Sequence, residues 1–265
     1  ALAHNKRKKE YTVGMAAHTS DSVAWPASSR MMEMRERLIV ALDVSTAAEA
    51  QRLVQRIGDA AGIYKVGLQL FTSEGPQLVR DLVKSGRKVF LDLKLHDIPN
   101  TVSHAVKAAA ELGAYMLTVH ASGGAAMLQA AAEASANRVN LLAVTVLTSL
   151  SADDLHQVGV PDEVTEQALR MAMLARSAGC HGVVSSPREL IPLRKQLGKG
   201  FMIVTPGIRP AGAETHDQQR TATPTQAIGD GASHIVVGRP ITHAADPVQA
   251  AQAIIAEMEQ ARISR

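Results

Sequence analysis

KVFLDLKLHDIPNTV, residues 88–102, is the stretch on which the reading of this chain turns. An apolar run, Val89, Phe90 and Leu91, leads into Asp92, Lys94 and Asp97, and Pro99 then opens a new element. In a strand over 88–94, side chains two apart share a face, so Asp92 and Lys94 point the same way. Carboxylates and an ammonium at the end of a buried strand are costly unless they pair with one another. Charges placed there point to chemistry.

Outward from this stretch the chain keeps a rhythm. From Arg37 onward, short β-rich runs alternate with Ala-rich segments of helical period. Strands are predicted over 38–43, 63–66, 89–94, 116–120, 141–147, 182–185, 202–205 and 235–237. Helices are predicted over 47–57, 77–85, 102–112, 125–134, 164–178, 187–196, 224–229 and 247–263. Their starts are marked by Ser45 or Thr46, by Asn100 or Thr101 after Pro99, by Ser186 before Pro187 and by Asp246 before Pro247. The strands are nearly continuous Val, Ile and Leu, as in a parallel sheet covered by helices. Eight such pairs over about 230 residues indicate an α/β protein with a single (β/α)8 TIM barrel, spanning residues 35–265. A doubly wound sheet would place a G-x-G-x-x-G turn after the first strand, where Val44, Ser45 and Thr46 stand instead.

The composition agrees. With 265 residues and 46% hydrophobic content the chain can bury a large core, and it has no apolar run of about 18 residues. The net charge of +3 owes much to Lys6, Arg7, Lys8 and Lys9. A basic run in an isolated tail reads as a solvated segment, so neither a nucleic acid nor a membrane is expected as a partner. Residues 1–34 lack a strand or helix period and are expected to form a disordered extension. Cys180 is the only cysteine, which excludes an intrachain disulfide and fits a reducing compartment, hence the cytoplasm.

In a barrel the active site lies at the C-terminal strand ends. There the chain places Asp43, Lys65, then Asp92, Lys94 and Asp97, followed by His120 with Ser122, Thr148 with Ser149, Pro206 with Arg209, and Gly238 with Arg239. Singly, each has a plain reading. Asp43 suits a turn, Lys65 a snorkelling strand end, and His120 and Ser122 a tight glycine loop. His96 reads as structural. Convergence overrides this, because two lysines and three carboxylates on the first three strand ends exceed what stability asks for.

The chemistry is bounded by what is present. Lys65, Asp92, Lys94 and Asp97 would alternate in charge, each holding its neighbour ionised. There is no nucleophile elbow, no HExxH and no His/Cys cluster, so no metal is expected. An ammonium held beside carboxylates can quench a carbanion, and the carboxylate can repel an anionic substrate group. That pairing suits decarboxylation without a cofactor. VTPGIRP at 204–210 and VVGRP at 236–240 bring glycine amides and arginines together where barrels commonly hold phosphate. The polar segment PAGAETHDQQRTA at 210–222 reads as a lid from which Gln218 reaches the phosphate.

FLDLKLHDIPNTV, with ALDV and YKVG before it and VTVLTS, TPGIRP and VVGRP after it, resembles the orotidine 5′-phosphate decarboxylases, most nearly their bacterial form. The resemblance covers residues 37 to 260. It implies cofactor-free conversion of orotidine 5′-phosphate to uridine 5′-phosphate in pyrimidine biosynthesis. It further implies that Lys94 protonates C6, that Asp92 lies against the departing carboxylate, and that Lys65 and Asp97 complete the catalytic charges. Asp43 and Lys65 match ribose contacts, and Thr148 with Ser149 matches the pyrimidine side. Pro206, Arg209, Gln218, Gly238 and Arg239 match the phosphate side. Asp97, Ile98 and Thr101 match positions that enter the partner's site in a homodimer.

Keto-gulonate 6-phosphate decarboxylases and hexulose phosphate synthases resemble the same barrel and share D-x-K-x-x-D. They carry on strand two a glutamate that helps bind magnesium, where this chain has Lys65, a cation that would repel a metal. A catalytically silent phosphate-binding barrel is the remaining alternative. Binding alone would not call for the Asp92, Lys94 and Asp97 set.

Overall fold

The computed structural model describes residues 27–210 and 221–263. The chain runs α1 (Ala27–Arg35), β1 (Leu38–Ala41), α2 (Ala47–Ile57), β2 (Ile63–Gly67), α3 (Leu68–Lys84), β3 (Lys88–Leu95) and α4 (Pro99–Glu111). It continues through β4 (Met116–His120), α5 (Gly124–Ser135), β5 (Asn140–Val144), α6 (Ala152–Gln157), α7 (Val164–Ser177) and β6 (Gly182–Val184). The last part is α8 (Leu190–Leu197), β7 (Met202–Thr205), α9 (Pro224–Asp230), β8 (His234–Val237), α10 (Arg239–Thr242) and α11 (Pro247–Ile263). The eight strands form one closed barrel in chain order. Every pairing is parallel, and β1 closes the ring with Ile39 opposite both Ile63 of β2 and Val236 of β8.

The alternation along each strand explains the near-continuous apolar runs. On β1, Leu38 and Val40 pack with the helix layer, while Ile39 and Ala41 join Ile63, Phe90, Met116, Leu142, Val204 and Val236 in a separate apolar cluster. Both faces are thus dry, and neither tolerates a polar residue without a partner. Gly182 opens β6 because a Cβ there would come within 2.6 Å of the Met202 carbonyl oxygen on β7.

Several helix starts match the sequence signals. Thr46 accepts a hydrogen bond from the Glu49 amide at 3.3 Å. Ser186 accepts from the Arg188 amide at 3.2 Å, and Asp246 accepts from the Val248 and Gln249 amides. At α4 the expectation fails. Pro99 is itself in the first turn, and neither Asn100 nor Thr101 is the cap. Instead the Ile98 amide donates to its neighbour Asp97 at 2.6 Å.

Three differences stand out against the sequence reading. Ala27–Arg35 is helical and Met34 is 1% exposed in the core, so the packed chain begins before residue 35. One buried methionine on a polar helix leaves no usable period. The predicted helix over 77–85 is the second segment of α3, and a first segment from Leu68, set off by the non-helical Gly75 at φ +69° before Pro76, escaped the reading. The short α6 also escaped the periodicity, although Ser151 and Asp154 form a reciprocal capping box at its start. The basic run at Lys6–Lys9 and Gln218 lie outside the described residues.

Candidate active site

The centre of the site is a distortion in β3. Leu91 pairs with Leu117 and Leu95 with Val119, so β3 carries more residues than β4 over the same span. Such a bulge re-aims side chains, and here it puts Lys94 at φ +52°. The left-handed region costs a side-chain-bearing residue roughly 1–2 kcal/mol. Thr118 of β4 holds the distortion in place. Its hydroxyl oxygen accepts the Lys94 amide at 2.9 Å and its proton goes to Asp92 Oδ1 at 2.9 Å. Lys94 Nζ then lies 2.9 Å and 2.8 Å from the two oxygens of Asp92.

Lys65 extends the cluster toward β1. Its Nζ donates to Asp43 Oδ1 at 3.1 Å and stands 3.8 Å from Asp92 Oδ2. The side chains of Lys65 and Asp92 are only 12% and 14% exposed, against 65% for Asp43. Asp92 is therefore shielded among two ammonium groups and a hydroxyl, and the ion pair works in a low-dielectric wall. Asp43 is the outer, wetter end. Beyond β3, the half-buried His120 ring lies 5.5 Å from that of His96, tilted by 38°. Burial, then His96 and Lys94, pushes the His120 imidazole below its ordinary range.

These charges line a cavity of about 500 Å³ at the C-terminal ends of the strands. Asp43, Lys65, Asp92, Lys94, Thr148, Pro206, Arg209, Gly238 and Arg239 all line it, as the sequence reading placed them. The remaining expected residues are elsewhere. Asp97 is not part of the Lys65, Asp92 and Lys94 cluster; it is exposed beside the start of α4, with Thr101 exposed and Ile98 65% exposed. Within one chain Lys65, Asp92 and Lys94 meet as expected, with Asp43 beside Lys65, and Asp97 stands apart at the position that the resemblance assigns to a partner's site. Alternation along a strand could not foresee this, because the bulge breaks the alternation. Ser149 is also exposed, and Thr148 alone of that pair lines the cavity.

Some residues of the site carried no usable signal. Thr118 is buried completely within an apolar strand, and only its polarity in MLTVH marks it. Ser185, at 1% exposure, closes the wall after β6. Thr242 and His243 join Arg239 through α10, a helix too short for periodicity to reveal. At the far rim, Arg209 is buried and donates through Nη1 to the Ile208 carbonyl at 2.9 Å. The Arg209 amide donates to Ala222 O and the Ala222 amide to Gly207 O, tying together the two ends of the polar segment.

A lysine on both oxygens of an aspartate, at the floor of a barrel cavity, meets its family match here. The model of the Orotidine 5′-phosphate decarboxylase / HUMPS family matches residues 36–254. The chain belongs to that family. Orotidine 5′-phosphate decarboxylase from Moorella thermoacetica is 52% identical over 240 residues, covering 87% of this chain and 95% of that protein. The Halorhodospira halophila protein of the same name is 52% identical over 228 residues, covering 85% and 97%. Among solved structures, orotidine 5′-phosphate decarboxylase from Lactobacillus acidophilus is similar at 41% identity and TM-score 0.76, covering 83% of this chain and 98% of that one.

Membership in the orotidine 5′-phosphate decarboxylase / HUMPS family covers both the decarboxylase and the metal-assisted alternative, so the site must distinguish them. Lys65 Nζ sits between Asp43 and Asp92, where a divalent cation would need those carboxylates. An ammonium in that place neutralises the oxygen donors and repels a metal ion. The donor set does not fit magnesium.

Proposed function

We propose that the protein decarboxylates orotidine 5′-phosphate to uridine 5′-phosphate in pyrimidine biosynthesis, with no metal or cofactor, the barrel together with α1 acting as one catalytic domain. The observation that carries this reading is Lys94 Nζ held by both oxygens of Asp92 at the cavity floor. In this reading the substrate carboxylate lies against Asp92, whose like charge disfavours the bound ground state. The C6–carboxylate bond breaks, carbon dioxide leaves, and the electron pair stays at C6. Lys94 passes one proton to C6, and the resulting amine is reprotonated from solvent. Lys65 and Thr118 keep Asp92 oriented. Asp43 with Lys65 holds the ribose hydroxyls, and Thr148 faces the pyrimidine.

The phosphate is assigned to Arg209, Gly238 and Arg239 across the cavity, with Pro206 shaping that wall and Gln218 completing the set. Binding energy from this remote group can be spent at the reacting centre. Asp97, Ile98 and Thr101 are assigned to the neighbouring site of a homodimer. The exposed Ile98 at the start of α4 favours a contact there, since a large apolar side chain gains by being covered. A cytoplasmic setting is in keeping with the single buried Cys180, and no described helix is long and apolar enough to cross a membrane.

The test is turnover of orotidine 5′-phosphate in the presence of a chelator, followed by its absorbance change. Lys94→Ala is expected to abolish turnover while uridine 5′-phosphate still binds. Near wild-type rates in that variant, or a strict need for magnesium in the unaltered protein, would overturn the assignment.

A further inference from the structure

The edge of the site between β3 and β4 ends in two histidines that the proposed reaction does not use. The two strands resume pairing after the bulge with Leu95 opposite Val119, so His96 and His120 follow side by side. Their ring centroids are 5.5 Å apart, tilted by 38°. His120 is half-buried, two residues beyond Thr118 and on the same face of β4, while His96 is exposed. Gly123 makes the seat for the outer ring. A Cβ there would overlap Met127 Sδ and stand 3.3 Å from His96 Cδ2. The rings meet immediately before the segment that carries Asp97, Ile98 and Thr101 into α4.

The surroundings of this pair suit two neutral rings and not two charged ones. Burial, then His96 and Lys94, keep the His120 imidazole below its ordinary range. Asp92 opposes them, but Lys94 already holds both of its oxygens. On β5 the residue opposite His120 is Val144, which offers no charge, and from α5 Met127 reaches the turn. On α4, His104 turns its Nδ1 to the Asn100 carbonyl, and Asp97 accepts the Ile98 amide. On α7, which packs against the Ala121–Gly123 turn, Glu166 and Arg170 are exposed and Arg170 pairs with Asp162. Two unit charges at 5.5 Å, in an effective dielectric of about 20, shift an equilibrium by on the order of 100-fold.

We propose that His96 and His120 are positioning residues acting as a pair: neutral, they hold Asp97, Ile98 and Thr101 where a neighbouring site needs them, and protonated they release that segment. This rests on the reading of those three residues as entering the site of a partner subunit. Release falls to His96, whose exposed ring can turn into water, whereas His120 is held between strands. His120 takes up a proton less readily in the folded chain than in the unfolded one. The hold is therefore complete above about pH 6.5 and is lost as the pH falls through the lowered range.

The test follows hydrogen exchange of residues 95–102 in the full chain at pH 7.5 and pH 5.0, corrected for the intrinsic pH dependence of amides, alongside kcat/KM for orotidine 5′-phosphate. In the unaltered protein, protection of this segment is expected to fall by ~10-fold or more between the two conditions. His120→Phe keeps a ring in place and takes no proton, so its protection should change by less than ~3-fold. Over the same interval its kcat/KM should fall ~10-fold less than that of the unaltered protein. His96→Gln should behave alike, and if His120→Phe does not fold this exposed substitution decides alone. His234 and the substrate phosphate titrate in all three proteins, so only the difference between them is read. Equal loss of protection in all three, or loss in none, overturns the inference, whatever the turnover. The expected exchange pattern with parallel kcat/KM profiles overturns the link from the segment to a partner's site, and with it the positioning role. The expected exchange pattern with no turnover in any protein overturns only the proposed reaction.

Discussion

Thr118→Val tests whether the β4 hydroxyl is what places the proton donor. The substitution keeps the shape of the side chain and removes one oxygen that serves two partners, the Lys94 amide and Asp92 Oδ1, both at 2.9 Å. A hydrogen bond to a charged carboxylate is worth about 1.5–3 kcal/mol and one to a neutral amide about 1 kcal/mol. The added methyl recovers roughly 1 kcal/mol by apolar burial. The net cost is about 1.5–3 kcal/mol, and at about 2–4 °C per kcal/mol for a domain of this size Tm falls by roughly 3–12 °C. The effect on rate is separate. Lys94 sits at φ +52°, a conformation that needs external restraint, and a misplacement of about 1 Å at a reacting group costs on the order of 100-fold. Thr118→Ser keeps the hydroxyl and should stay within about tenfold of wild-type kcat/KM. Thermal unfolding and the turnover assay read both effects. A Thr118→Val protein with unchanged Tm and kcat/KM within about threefold of wild type would refute the tether argument.

If Asp97 serves a neighbouring site, mixing separately inactive Lys94→Ala and Asp97→Ala proteins should restore about a quarter of wild-type activity, because half the dimers are mixed and each has one intact site; no recovery after subunit exchange would refute sharing. His234, half-buried at the start of β8, has its pKa lowered from 6.5 to about 4 by loss of solvent around the ring, then by Arg37 and Lys88, with Glu36 opposing. Below pH 6.5 the unfolded chain takes up a proton that the native imidazole refuses, so roughly 3 kcal/mol of stability present above that pH is lost by pH 4. His234→Leu should flatten this acid limb in denaturant titrations at pH 7 and pH 4, and an unchanged slope would count against it. Burial pushes the Cys180 thiol up to about 12, so a disulfide-exchange reagent at pH 8 should react with it only after unfolding. Rapid labelling of the native protein would contradict that burial.

Much of the architecture is legible in the chain because parallel strands buried on both faces must be apolar throughout. The strand spans at Met116–His120 and Met202–Thr205 follow directly. The polar residues that end those runs could therefore be assigned to one rim. What failed to show has a common cause. Met34 in α1, the capping box of α6 and the short α10 are local features with too few apolar repeats to stand out.

Residue types and their order determine that this is a barrel, and that Asp43, Lys65, Asp92 and Lys94 occupy consecutive strand ends. Which of the charges meet is decided by the tertiary structure. Pairing with β4 forces the bulge in β3, and the bulge turns Lys94 onto both oxygens of Asp92. Alternation in a regular strand would have placed those side chains on one face with no contact between them specified. Thr118 comes from the adjacent strand, and Asp97 leaves the cluster because the chain turns into α4 immediately after it. Those contacts depend on register and backbone dihedrals, and neither is encoded in the spacing of charges along KVFLDLKLHDIPNTV.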